Sequence, residues 1–374
     1  MSDVIQSMKA LNFRMLGGGG DNNREKWIDV LKCIAIVFVI IDHTNRILYT
    51  NQDIAHISYC AVSIFVFLSG VVLFESNNRI KDKQKDERIN WAQITVKRVK
   101  KILIPYIIAV FVYVLVIYHY FDFDRYLKYL FNFNVSGPHY YILLYIQLLI
   151  ICPILYCVIS KINQVNNWRK LVYLVIFLLV IVIISYLTTN YTNIHNVYGG
   201  GGRLFGGSFL LVFSLGMLFK VMIDNKIKIN NKYVWILVFF ILLALLAVYF
   251  SYYTNNLRIL DYWKILGNYG NPPVVSNVVY ALLFILTVYS FMKYIETVHS
   301  HVVQLTVNIL CKIGEYTLYI FLYHRLFLDF MLPQLTINGQ YVKIIIYFAV
   351  MILGSMTIGF IEKQLISTYK KLLI

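Results

Sequence analysis

Charge is the scarcest property of this chain. Of its 374 residues, 14% are Asp, Glu, Lys or Arg, against about a quarter in ordinary soluble domains. Acidic residues are the rarer sign, 18 against 34 Lys and Arg. A soluble domain with a solvated surface is therefore excluded. Cysteine is also sparse. Cys33, Cys60, Cys152, Cys157 and Cys311 form no Cys-x-x-Cys and lie in or beside apolar blocks. That pattern argues against a zinc ribbon or a disulfide framework and for small buried hydrophobes. Neither Gly-x-Ser-x-Gly nor His-Glu-x-x-His occurs, so the soluble hydrolase and zinc-protease signatures are missing, and no metal site is expected. Gly199–Gly202 lacks the Gly-x-Gly-x-x-Gly spacing and follows no strand, so no dinucleotide site is supported.

What the chain has instead is apolar length: 59% of it is hydrophobic. A helix needs roughly 20 mostly apolar residues to cross the hydrocarbon. Only helices and closed barrels satisfy their backbone groups there. The blocks are too long and unbroken for barrel strands, which alternate over about 10 residues. The expected fold is an all-α polytopic membrane protein of about ten transmembrane helices. They are placed at 30–48, 57–75, 102–121, 139–158, 170–188, 206–222, 233–251, 274–292, 313–331 and 342–361.

The net charge of +16 does not point to nucleic acid. Twenty-five of the 34 basic residues fall in segments that alternate to one side, nine of them in the 76–101 loop. The positive-inside rule then puts both termini in the cytoplasm. The first apolar block starts near Leu31, too late and too long for a signal peptide. Residues 1–23 read as a flexible cytoplasmic extension, and 24–374 as a single transmembrane domain. The longest outer loops are 122–138, 189–205 and 252–273. No internal repeat is evident.

An ionisable residue inside a span is costly and is a functional candidate. The first span carries Asp29, Lys32, Asp42, His43 and Arg46. Lys32 and His43 are eleven residues apart, close to whole turns, so they share one face about 16 Å apart along the axis. Asp29 lies near the same face. A charged inner end thus faces a histidine in the outer third, a layout that suits a reaction joining two compartments. His43, beside Asp42, is the candidate to take a proton from an acceptor hydroxyl. Arg46 reads as a snorkelling residue that pairs with Asp42. Ser69 and Gly70 read as close-packing residues of the second span. Arg98 and Lys101 share a helical face and read either as inner-leaflet anchors or as a phosphate clamp. His139, His324 and Arg325 lie at outer helix ends and are candidates for one polar cavity.

Taken together, these stretches resemble membrane-bound acyltransferase family 3, which O-acylates cell-surface sugars. The likeness runs over residues 24–360. Its Arg-x10-His pattern resembles Lys32 followed by ten residues and His43, with lysine in place of arginine. Its Phe-Phe-x-x-Ser-Gly resembles the run ending Ser69-Gly70, and its Arg-x-x-Arg resembles Arg98 to Lys101, followed by Pro105-Tyr106. Its His-x-Trp-Phe-Leu resembles His139 to Leu143. Its Gly-x-x-Ser-Tyr-x-x-Tyr-Leu-x-His resembles Gly314 to His324, with Thr317 in the serine region.

The resemblance implies an acyl-CoA donor, acetyl-CoA first, on the cytoplasmic side, and a polysaccharide or lipid-linked glycan acceptor outside. It implies His43 as the catalytic centre with Asp42, and Lys32, Arg98, Lys101 and Asp29 around the CoA head. Any partner glycan-synthesis enzyme is then a separate chain. The expected location is a bacterial plasma membrane. The alternative class is a transporter or flippase for a sugar or lipid-linked glycan, whose inverted repeats and broken helices are not evident in the sequence. A membrane scaffold is a weaker third, because it leaves the histidines without purpose.

Overall fold

The computed structural model describes residues 25–45, 47–83, 89–190, 207–224, 231–254, 273–334 and 339–372. Among these residues the protein is helical and has no β-strand. The helices are α1 (Lys26–Thr44), α2 (Gln52–Ser58), α3 (Ala61–Lys83), α4 (Trp91–Tyr118), α5 (Phe123–Asn132), α6 (Tyr140–Asn163) and α7 (Asn167–Asn190). They continue as α8 (Phe209–Asp224), α9 (Lys232–Thr254), α10 (Val275–Ile295), α11 (His301–Glu315), α12 (Thr317–Leu326) and α13 (Gln340–Leu372). A π-helical stretch, Phe327–Met331, extends α12. The expected extension 1–23, Arg46 and Gly199–Gly202 lie outside the described residues, as do 191–206 and 255–272, nearly all of two expected outer loops.

Each of the ten expected segments falls on a helix, but they do not all qualify as spans. Among the described residues, seven helices are long and apolar enough to cross a membrane. An eighth crossing forms if α11 and the α12 arm, bent by 67°, count as one. The remaining two are special. α1 carries Lys26, Asp29, Lys32 and Asp42 within its length. α8 has 16 residues, about 24 Å at 1.5 Å per residue, short of a hydrocarbon core of roughly 30 Å.

Three expectations are corrected. Most of the described part of the 76–101 segment is helix, not loop: α3 runs on to Lys83 and α4 begins at Trp91. Asn90 caps α4, its side chain accepting the Gln93 N–H at 3.0 Å, which is why a polar stretch can start a helix. The 122–138 segment likewise contains α5, capped by Asp122 through the Arg125 N–H at 3.0 Å. Finally, the ninth span is broken at Tyr316, whose backbone (φ −101°, ψ 7°) leaves the helical region.

Burial decides which helices face lipid. The apolar window of Lys232–Tyr252 is 6% buried, whereas that of Gln52–Lys83 is 67% buried. α9 is therefore peripheral and α3 central. α1 is also central. Its Trp27, Ile28, Leu31 and Ala35 belong to one packed cluster, and its Ile36, Val39 and Ile40 to a second. Wrapping by α3, α10, α11 and α12 lets a charged helix sit inside the bundle.

α3 and α8 meet backbone to backbone. A Cβ on Gly70 would collide with the carbonyl of Phe213, and one on Gly216 with that of Phe67. Small residues permit backbones to meet this closely. At one end of this pair the buried Lys220 binds Glu25 at 2.7 Å, Asp224 at 3.2 Å and Glu75 at 3.4 Å. One cation thus ties the start of α1 to α3 and α8.

Gly216→Leu is expected to cost about 1–3 kcal/mol or more, by forcing the two backbones apart. Gly137→Ala, whose Cβ meets nothing within 4 Å, should change little. Melting temperatures of the two variants in detergent check the difference.

Candidate functional site

α1 presents the stripe that its period requires. At one end Lys32 Nζ lies 3.4 Å from Asp29 Oδ1, with the lysine side chain 24% exposed and the aspartate 4%. Gly314 of α11 packs against the Asp29 backbone, where any Cβ would clash. This contact seats the α11–α12 elbow beside the charged end of α1.

Lys32 faces a cavity of about 330 Å³. Its walls include Phe65, Ser69 and Leu73 of α3, and Arg98, Lys101 and Ile102 of α4. Tyr141, Tyr145 and Leu149 of α6 and Thr317, Leu318 and Phe321 of α12 close it. Three cations and one serine expected from the sequence therefore meet in one place. Arg98 is held from behind: Nη2 donates to Ser76 Oγ at 2.9 Å and to Asn77 Oδ1 at 2.8 Å. Its Nη1 is buried, with no hydrogen-bond partner among the described residues. Ser69 Oγ donates to the Phe65 carbonyl at 2.8 Å. The rings of Tyr141 and Tyr145 lie parallel beside it, 6.0 Å between centroids. A mostly apolar cleft with a few fixed cations suits a ligand with an anionic head and an apolar body.

The far end of the stripe carries the histidines. Thr317, Phe321 and His324 lie on one face of α12 at i, i+4 and i+7. His43 Nδ1 meets His324 Nε2 at 2.7 Å. Ring centroids are 4.9 Å apart with planes 8° apart. Nitrogens this close, in nearly coplanar rings, mean an edge-to-edge hydrogen bond and not face stacking. His43 is partly exposed, whereas His324 is fully buried. Neither imidazole lines the cavity; they lie one turn beyond its Phe321 wall. The Phe321 carbonyl itself accepts from His324 Nδ1 at 3.0 Å.

The other candidates fall into separate places. Asp42 is exposed, and it is His324 that meets the His43 imidazole. His139 is wholly buried. Its Nε2 donates to the Leu322 carbonyl at 3.2 Å, and its ring sits edge-on between Tyr106 and Tyr113. It braces α6 against α12. Arg325 pairs with Asp329 across the π-helical turn at 2.9 Å.

A family model described as an acyltransferase domain matches residues 25–361. The chain belongs to acyltransferase family 3. No curated protein and no solved structure matches it. This acyltransferase is a multi-pass membrane protein, and membership favours acyl transfer over the transporter reading despite the broken α11–α12 helix.

Several residues of the site escaped sequence reading. Ser76 and Asn77 orient Arg98, and a polar Ser-Asn-Asn run inside a long helix was the available signal. Tyr145 carried none, being one of 31 tyrosines. Tyr323 hydrogen-bonds the buried Glu362 of α13, a carboxyl whose presence in an apolar helix was itself a flag.

Cysteine labelling tests whether the cavity is open. With the five native cysteines replaced, Ser69→Cys should react with a water-soluble maleimide. Ser63→Cys, at a position with no exposed surface, should not. Equal labelling of the two would contradict the described cavity.

Proposed function

We propose that this acyltransferase carries an acyl group, acetyl in the simplest case, from cytoplasmic acyl-CoA to a hydroxyl of an extracytoplasmic polysaccharide or lipid-linked glycan. The observation that carries the reading is the placing of three cations and a histidine pair at the two ends of one α1 stripe, joined by a chain of hydrogen bonds. Lys32, Arg98 and Lys101 line a cavity whose Phe321 wall bonds His324, and His324 bonds His43. Phosphates need clustered cations, and a guanidinium with an unmatched buried N–H suits a phosphate or pantetheine oxygen. The apolar walls would hold the thioester arm.

In this reading ten helices cross the membrane, with α1 and α8 enclosed by the others, and both termini lie in the cytoplasm of a bacterial cell. Lys101, an exposed residue on the cavity wall, marks the donor's entry. His43, partly exposed, faces the acceptor. It takes the hydroxyl proton as the oxygen bonds to the acyl carbon, the carbon–sulfur bond breaks, and the same proton passes to the departing thiolate. Asp42 is assigned to the acceptor side with His43, and Asp29 to holding Lys32.

Two substitutions test the reading. His43→Ala should lower ester transfer by about 10²–10⁴-fold while the protein still inserts and folds. Arg98→Ala should raise KM for acyl-CoA roughly tenfold to a hundredfold, the loss of one or two charged hydrogen bonds. Radiolabelled acyl-CoA given to membranes with the glycan acceptor is the readout. Unchanged label in the His43 variant would defeat the assignment.

A further inference from the structure

The surroundings of His324 determine which nitrogen of His43 does the chemistry. Both ring nitrogens of His324 are engaged. Nδ1 lies 2.9 Å from the Ile320 carbonyl and 3.0 Å from that of Phe321. Carbonyl oxygens only accept, so Nδ1 carries a proton. In a neutral imidazole the other nitrogen is then a lone pair. Nε2 of His324 is therefore an acceptor, and the group 2.7 Å away, His43 Nδ1, must donate to it. This leaves the lone pair of neutral His43 on Nε2.

We infer that His324 is a positioning residue that holds His43 in the tautomer with Nε2 free to act as base. The inference rests on the acyl-transfer reading above. His324 is fully buried and its two nitrogens are used, so it has no means of touching an acceptor hydroxyl. It does what a carboxylate does for histidine in hydrolytic triads, orienting the ring and fixing its tautomer, but it adds no charge to the span. A neutral partner suits this place, since an unpaired carboxylate buried in hydrocarbon would be costly. The backbone completes the arrangement. Two carbonyls of α12 polarise His324 Nδ1–H, which strengthens Nε2 as an acceptor along the chain of hydrogen bonds. When His43 takes the acceptor's proton on Nε2, the same contact stabilises the cation that forms.

The test compares His324→Leu, which deletes the acceptor, with His324→Gln, whose side-chain carbonyl reaches the Nε2 position. Purified full-length protein in detergent is assayed with acyl-CoA and a glycan acceptor. For the leucine variant kcat should fall about 10²–10⁴-fold, with KM for acyl-CoA within about twofold of wild type. The glutamine variant should regain at least about tenfold of that loss. A merely structural histidine would not give this split between kcat and KM, nor rescue by glutamine. If the leucine variant does not fold, His324→Asn, too short to reach His43, replaces it.

Full kcat in the leucine or asparagine variant, or no gain from glutamine, overturns the inference. Acyl transfer by the wild type, its loss in His43→Ala and full kcat in His324→Leu would overturn this inference alone. No transfer by the wild type would overturn the acyl-transfer reading with it.

Discussion

A helix bearing Lys26, Asp29, Lys32 and Asp42 has no stable place in hydrocarbon unless other protein surrounds it. That constraint organises the bundle. α1 is buried along most of its length, contributing to both packed clusters. Two ionisable groups of α1 are given company: Lys32 has Asp29, and His43 has His324. The lipid-facing helices, α9 above all, need no such provision and are far less buried.

Much of this was legible because period and chemistry coincide on α1. Eleven residues of α-helix bring Lys32 and His43 to one face in any packing, so the stripe needed no tertiary information. Arg98 and Lys101 were legible for the same reason. The partner of His43 was not legible. His324 lies 281 positions away, and no local pattern separates it from His139, which proved to be a brace between helices. Only the packing of α12 against α1 distinguishes the two.

The helix ends were misread for a simple physical reason. The tail of α3, Ser-Asn-Asn-Arg-Ile-Lys-Asp-Lys, and the start of α4 are polar, so hydropathy takes them for loop. Backbone hydrogen bonding and the Asn90 cap make them helix all the same. α5 was missed because it is only ten residues long and interleaves its apolar residues with charged ones, so it makes no unbroken apolar block. Lys220 lies at the inner end of the expected 206–222 span and was read only as one of the basic residues on the cytoplasmic side. In the fold it is almost wholly buried, and three carboxylates surround it.

The Lys220 cluster has a consequence for biogenesis. Ribosomes deliver α1 and α3 to the membrane long before α8. Until α8 arrives, Glu25 and Glu75 have no Lys220 to answer them, and the start of α1 is not fastened to α3. The ion pairs of Lys220 with Glu25 and Glu75 can close only once α8 has been made, so this tie between the first third of the protein and its middle is added late.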